Sequence, residues 1–414
     1  MIEAVLDIDA LIDDPQTRII VCCGSGGVGK TTTAAALGLR AAESGRRVVV
    51  LTIDPARRLA QSLGLSRLDN TPSPVQGIDL TKGGSLDAMM LDMKRTFDDV
   101  VEAHATPDKA AQILANPFYQ AVSSSFAGTQ EYMAMEKLGQ LRLEADRDPD
   151  NPRWDLIVVD TPPSRSALDF LDAPKRLGSF LDGRFIRLLA RPAKAGGRAY
   201  LKVFSAGVNI VTTTLTKVLG GQVLTDVQTF VAALDTMFGG FRERADHTYA
   251  LLKDGGTAFL VVAAPERDAL REASFFVDRL DEEEMPLAGL VVNRVYRLSA
   301  PGLSAARAMA AAEELRDERN GNDHGNGNDH GNGNDHGNGN DHGDTSGLRT
   351  DTTVTQGLLR LHAVQAEIAA RHQTLTKRFI AGHPDIPTVV VPAASADIHD
   401  LVSLRAVGDA LAGR

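Results

Sequence analysis

Short, almost uninterrupted apolar runs recur along the chain and alternate with segments of helical character. They lie at Arg18–Cys23, Arg47–Ile53, Leu156–Val159, Phe259–Ala263, Leu290–Val292 and Thr388–Val391. A strand that is buried on both faces of its sheet reads as a continuous apolar run. The pattern therefore predicts an α/β fold with a mostly parallel, doubly wound sheet that helices cover on both sides.

Two long segments, about Thr96–Arg147 and Leu171–Lys253, interrupt this alternation and are expected to be helical. Apolar residues in the second follow helix-face spacing, at Phe204, Val208, Val211, Leu215 and Val218, and again at Leu224, Val227, Val231, Leu234 and Phe238. Such stripes usually form the packed core of a helical subdomain, and the alternative is a surface that receives an apolar client. The sequence leaves both interpretations open.

The segment Asn320–Gly343 consists of four copies of the six-residue repeat NGNDHG and carries His324, His330, His336 and His342. It has too few apolar residues to offset the entropy of ordering, so we predict a disordered insertion. Metal binding by its His and Asp residues is the alternative. The predicted organisation is a core made of residues 1–95, 149–170, 255–316 and 353–414, a helical subdomain made of 96–148 and 171–254, and the insertion at 317–352.

Composition narrows the functional classes. The chain has 414 residues and a net charge of -10, which argues against a nucleic-acid binder because such proteins need a cationic surface. Cys22 and Cys23 are its two cysteines, so a disulfide framework and a multi-thiolate metal site are not expected. The acidic first residues and the lack of an apolar run of about 20 residues predict a cytoplasmic protein without a transmembrane segment, whose membrane contact would be peripheral.

The strongest local signal is a glycine-rich loop. Residues 24–31 read GSGGVGKT, which satisfies G-x-x-x-x-G-K-[ST] directly after a predicted strand and before a predicted helix. Its backbone N–H groups are expected to surround phosphate oxygens, with Lys30 on the β- and γ-phosphates, Thr31 on Mg²⁺ and Thr32 on the α-phosphate. The predicted phosphate-binding residues are Gly24, Ser25, Gly26, Gly27, Val28, Gly29, Lys30, Thr31 and Thr32.

Two aspartates follow neighbouring predicted strands. Asp160 ends the run in WDLIVVDTPP, where a carboxylate can hold Mg²⁺ through water. Asp54 ends the run in LTIDPARR and is the candidate to position or deprotonate the attacking water. The alternative for Asp54 is an N-cap of the following helix.

Five motifs in order, GGVGKTT, IDPA, VVDTPPS, LVVNR and VVVP, resemble the ArsA family, which includes the arsenite-pump ATPase and the guided-entry ATPase that delivers tail-anchored membrane proteins. The resemblance covers nearly the whole chain except the NGNDHG insertion, and within the family it is strongest to actinobacterial subunits that act as a pair. It implies ATP and Mg²⁺ as cofactors, with Asp54 and Asp160 as the switch aspartates. It also implies that Asn293, with Arg294 beside it, reads adenine and that Pro392 lies in the loop over the base. An asparagine at a strand end can offer adenine both a donor and an acceptor.

One departure from the family changes the expected assembly. The family's deviant phosphate loop begins K-G-G, with a lysine that reaches across a dimer, whereas this chain has Ser25 there. A serine has neither the length nor the charge for that role. We therefore expect a heterodimer with a paralogous ATPase subunit that keeps the lysine, while a homodimer remains possible. Because the thiols of the arsenite and zinc sites are also missing, neither metalloid activation nor a dimer-bridging zinc is expected.

The leading functional hypothesis is an ATPase subunit whose nucleotide state drives capture and release of an apolar protein client or a membrane partner. The alternative is a subunit that binds nucleotide, hydrolyses it weakly and regulates its paralogue. A partition ATPase with a terminal amphipathic anchor ranks last, because the stretch Ile398–Arg414 lacks a basic face.

Overall fold

The computed structural model describes residues 5–53, 58–117, 119, 120, 123, 129–148, 150–162, 243–324 and 345–414. Asp54, the apolar stripes expected between Phe204 and Phe238, and the part of the NGNDHG segment after His324 lie outside these residues.

The described strands form one eight-stranded sheet in the order β3-β4-β2-β5-β1-β6-β7-β8. Their bounds are β1 Ile19–Cys23, β2 Arg47–Thr52, β3 Ser73–Pro74, β4 Ser85–Met90, β5 Leu156–Asp160, β6 Thr257–Ala263, β7 Leu287–Val295 and β8 Thr388–Pro392. Neighbouring strands are parallel except β3, which pairs antiparallel with β4. All six predicted strands are present, and the prediction of a mostly parallel α/β sheet is confirmed.

The sequence did not predict β3 and β4. Strand β4 reads SLDAMM, and Asp87 in its middle breaks the apolar run. In the folded chain the carboxylate of Asp87 accepts a hydrogen bond of 2.8 Å from Trp154 Nε1, so the polar residue is tolerated inside a strand. The partner lies 67 residues away, which is why local periodicity could not identify this strand.

The helices lie between and after the strands. Their bounds are α1 Ile8–Asp13, α2 Lys30–Glu43, α3 Arg58–Ser62, α4 Met93–His104, α5 Pro107–Leu114, α6 Thr129–Ala145, α7 Arg267–Glu282, α8 Ala305–His324, α9 Thr345–Gly382 and α10 Leu401–Leu411. Residues 243–253 are helical as well. The described parts of the first segment expected to be helical, about Thr96–Arg147, are mainly α4, α5 and α6.

Two apolar cores flank the sheet because successive side chains of each strand point to opposite faces. In β1, Ile19, Val21 and Cys23 belong to one core, whereas Ile20 and Cys22 belong to the other. Helices α2 and α10 pack in the second core, and α4, α6 and α7 pack in the first. This double cover explains why β1 is buried along its full length.

The predicted disorder over residues 317–352 needs correction at both ends. Helix α8 continues to His324, and α9 begins at Thr345, so 317–324 and 345–352 are helical. Extending an existing helix adds one hydrogen bond for each residue that is ordered, which is easier than nucleating a new one. Composition alone therefore predicted disorder at positions that are helical, while the bounds of the insertion stay a prediction.

Candidate functional site

The glycine-rich loop lies against the neighbouring strands. It joins the end of β1 to the start of α2, and Gly24 and Gly29 have φ angles of 145° and 99°. A Cβ on Gly24 would lie 2.1 Å from the carbonyl oxygen of Val262, and one on Gly29 would lie 2.3 Å from Nδ2 of Asn293. Both the backbone conformation and the space around these positions therefore require glycine.

The loop delivers the N-terminus of α2 in a form that suits an anion. Gly29 is the N-cap residue, and no side chain caps the helix there. The first turn of α2 holds no acidic residue. No carboxylate of that turn therefore neutralises the positive end of the helix dipole or accepts hydrogen bonds from its free backbone N–H groups. This arrangement fits a phosphate group.

Lys30 is the first residue of α2 and is only 6% exposed. Its Nζ donates a hydrogen bond of 2.9 Å to the carbonyl oxygen of Ser25, at the start of the same loop. The ammonium group therefore lies folded over the loop, where it can exchange a carbonyl partner for a phosphate oxygen.

Asp160 gathers two hydroxyl groups at the end of β5. It is fully buried, and its Oδ2 accepts hydrogen bonds of 2.8 Å from Thr31 Oγ1 and 2.8 Å from Thr52 Oγ1. Hydroxyl and carboxylate oxygens are the ligands that Mg²⁺ prefers, so this donor set fits a magnesium ion. Thr52 was not predicted from the sequence, although a threonine that closes an apolar strand beside the Asp160 strand was the available signal.

Asn293 contacts the glycine-rich loop directly. Its Nδ2 donates to the carbonyl oxygen of Val28 at 2.9 Å, and its Oδ1 accepts from the backbone N–H of Arg294 at 2.9 Å. Arg294 has a φ of 60°, an unusual conformation for a residue with a side chain, and β7 changes register with β8 at this point. Pro392 ends β8 in register with Val295, so it lies on the neighbouring strand end.

The structure brings most of the predicted residues together around one loop. Lys30, Thr31, Asp160 and Asn293 all contact the loop, the start of α2 or each other. Thr32 follows in the first turn of α2 and is half-buried. Asp54 is outside the described residues, so its predicted position stays a prediction.

Both cysteines lie in β1, immediately before the loop, and both are buried. Burial raises the pKa of the Cys23 thiol to about 12. Burial raises the pKa of the Cys22 thiol as well, and the nearby carboxylate of Asp160 adds to that effect. These thiols therefore stay neutral at physiological pH and pack as small apolar groups.

A parallel strand that passes through G-x-x-x-x-G-K-T into a helix, with an aspartate from the adjacent strand bonded to the threonine, defines the P-loop class of α/β proteins. Comparison with known families agrees with the P-loop class and identifies one family within it. Residues 17–301 match the ArsA family of anion-transporting ATPases. The chain belongs to this family, and the resemblance predicted from the five motifs is confirmed.

Individual relatives are distant and cover different parts of the chain. ATPase BagA of Mycobacterium tuberculosis is 26% identical over 170 residues, which are 40% of this chain and 48% of that protein. ATPase GET3 of Ajellomyces dermatitidis is 25% identical over 289 residues, 69% of this chain and 75% of that protein. ATPase GET3C of Arabidopsis thaliana is 25% identical over 291 residues, which are 68% of this chain and 67% of that protein. The match spans about half the length of the mycobacterial relative.

Among the helices that the structure describes, none combines the length and the apolar character needed to cross a bilayer.

Proposed function

We propose that this chain binds ATP together with Mg²⁺ and hydrolyses the ATP as one subunit of a dimeric ATPase. The observation that carries the proposal is the convergence of Lys30, Thr31 and Asp160 on one glycine-rich loop, with Thr31 Oγ1 only 2.8 Å from Asp160 Oδ2. When bound, MgATP supplies a terminal phosphoryl group and a metal charge that offsets the negative charge of the reaction. Every other contribution comes from residues of the protein.

The phosphate end of ATP would be held by the loop N–H groups and by Lys30. On binding, the Lys30 ammonium would leave the Ser25 carbonyl, which it contacts at 2.9 Å, for a phosphate oxygen. Thr31 would be the direct protein ligand of Mg²⁺, and Asp160 would act through water. Thr52, bonded to the same carboxylate oxygen as Thr31, would hold Asp160 in place.

Water activation is assigned to Asp54 in this proposal. Support comes from its chain neighbour Ile53, whose backbone N–H donates to the carbonyl oxygen of Asp160 at 3.0 Å. This bond ties the chain just before Asp54 to the end of β5, which also carries the candidate magnesium residue. A carboxylate close to that strand end is suited to orient the attacking water and accept its proton.

Adenine recognition is assigned to Asn293, with Arg294 and Pro392 nearby. The amide of Asn293 makes two hydrogen bonds within the protein. A carboxamide has two N–H donors and an oxygen with two lone pairs, so one donor and one acceptor site remain for the base. The two internal bonds would hold these groups in a defined orientation.

The proposed assembly is a heterodimer. Ser25 occupies the place of the family's cross-dimer lysine, so this chain cannot supply that charge to its partner, whereas a lysine-bearing paralogue could supply it here. Opening and closing of the dimer would then move the helical subdomains and thereby capture or release an apolar protein client or a membrane partner. A homodimer would lack both lysines.

The test compares ATP binding and phosphate release by the purified chain, alone and with its co-purified partner. Lys30→Ala should abolish magnesium-dependent ATP binding, while Lys109→Ala, an exposed lysine on α5, should leave it unchanged. Fast turnover by the isolated chain would contradict the heterodimer. If wild type shows no magnesium-dependent affinity for ATP, the whole proposal fails.

A second candidate function is favoured by the same serine. If the chain binds nucleotide but serves mainly to regulate its paralogue, adding the lysine-bearing partner should leave phosphate release at this chain's site slow. Losing one preorganised charge, such as that of the partner's lysine, lowers the hydrolysis rate on the order of a hundredfold. The two candidate functions therefore predict clearly different rates of phosphate release at this chain's site. Inactivating the partner's own site would assign the turnover that remains.

A further inference from the structure

The Ser25 hydroxyl is buried but does not make a hydrogen bond to any described residue. Ser25 is 6% exposed, and its Oγ is one of two buried hydroxyl oxygens without a partner in the described part of the chain, the other being Thr376 Oγ1. A buried hydroxyl that loses its bonds to water and gains none in the protein destabilises the fold. Such a cost at a ligand-binding loop indicates that the partner arrives with the ligand.

The surroundings of Ser25 indicate which part of a ligand that partner belongs to. The residue lies directly after Gly24 in the loop, and its own carbonyl oxygen accepts the hydrogen bond from Lys30 Nζ at 2.9 Å. Lys30 is the residue that a P-loop directs at the β- and γ-phosphates. Ser25 therefore lies at the phosphate end of the candidate site, in contact with the group that would bind those phosphates.

We propose that Ser25 Oγ donates a hydrogen bond to a β- or γ-phosphate oxygen of the nucleotide bound to its own chain. This inference rests on the proposed function and adds a contact that the loop's backbone and Lys30 do not supply. A hydroxyl that donates to an anion makes a charge-assisted bond, which is stronger than a bond between neutral groups. Where the family has a lysine that acts across the dimer, this chain would thus have a serine that acts within its own subunit.

The test uses two properties of one variant, and they should change in opposite directions. Ser25→Ala removes an unsatisfied hydroxyl from the nucleotide-free protein, so its unfolding temperature should rise. The same change removes a donor to phosphate, so the affinity for MgATP should fall about tenfold or more. Ser25→Thr keeps the hydroxyl and should keep an affinity much closer to wild type. Thermal unfolding without nucleotide and calorimetric titration with MgATP and MgADP measure both properties.

Thr376→Val is the matched control. It removes the other unpartnered hydroxyl, which lies on α9 between Leu375 and Phe379, residues that pack in the core opposite α2. It should raise the unfolding temperature without changing nucleotide affinity. If Ser25→Ala loses affinity for MgATP alone, the hydrogen-bond acceptor is on the γ-phosphate. If it loses affinity for both MgATP and MgADP, the acceptor is on the β-phosphate.

Two results would overturn the inference. Unchanged affinity of Ser25→Ala for both nucleotides would show that the hydroxyl does not contact phosphate. A lower unfolding temperature of nucleotide-free Ser25→Ala would show that the hydroxyl already has a partner in solution. Neither result would affect the proposed function, which fails only if the wild-type chain itself does not bind MgATP.

Discussion

Replacing Asn293 by alanine tests whether this side chain braces the phosphate loop in addition to its proposed role in reading the base. The residue is 8% exposed and joins β7 to the loop through its bond to the Val28 carbonyl oxygen, across 265 residues of sequence. Its other bond caps the N–H of Arg294, whose backbone has a positive φ. Asn293→Ala removes both bonds at once.

The expected loss of stability follows from these contacts. Each hydrogen bond contributes about 1 kcal/mol net, so the two bonds together contribute about 2 kcal/mol to the free energy of unfolding. The carbonyl of Val28, a residue that is 2% exposed, would also lose this partner in a place that water reaches poorly. We therefore expect nucleotide-free Asn293→Ala to be less stable than wild type by about 2–3 kcal/mol.

The assay is urea unfolding without nucleotide, together with titration of ATP and of pyrophosphate, which has no base. If Asn293 braces the loop, the variant should lose affinity for pyrophosphate as well as for ATP. Asn70→Ala is the matched control, because Asn70 is also buried and bonded through both ends of its amide, to Asp99 and Thr96. It should lose stability but keep nucleotide affinity.

A bracing role for Asn293 is refuted if Asn293→Ala keeps wild-type stability and wild-type pyrophosphate affinity while its ATP affinity falls. Asn293 would then contact only the base, and its bond to Val28 would carry no energy.

Two further predictions concern contacts away from the loop. Arg40 donates hydrogen bonds of 2.6 and 2.9 Å to the Asp9 carboxylate, and this contact lowers the pKa of the Asp9 carboxyl. The pair therefore stabilises the fold at pH values above the ordinary carboxyl pKa. That stabilisation is lost as the pH falls through the lowered pKa. Arg40→Ala should therefore cost about 1 kcal/mol at pH 7 and much less near pH 2 in urea unfolding, and a cost independent of pH would contradict this account. A Cβ on Gly139 would lie 2.6 Å from Thr248 Oγ1, so Gly139→Ala should destabilise the chain by about 1–3 kcal/mol. Adding Thr248→Ala should recover much of that loss in thermal unfolding, and no recovery would refute the steric explanation.

The core of the fold was predictable where the signal is local. Strands β1, β2 and β5 read as apolar runs because both faces of each are covered, and the phosphate loop is contained in eight consecutive residues. Strand β4 was not predictable, since its central Asp87 is acceptable only once Trp154 lies beside it.

The sequence by itself determined the phosphate loop, the positions of the main strands along the chain and the family, because glycine placement and apolar periodicity act between near neighbours in the chain. Only the tertiary structure decided that Thr52 shares the Asp160 carboxylate with Thr31 and that Asn293 bonds to Val28. These contacts join residues 108 to 265 positions apart, and they depend on strand order and register. Many distant pairings compete for each strand edge, so register is set when the whole sheet packs between its two cores.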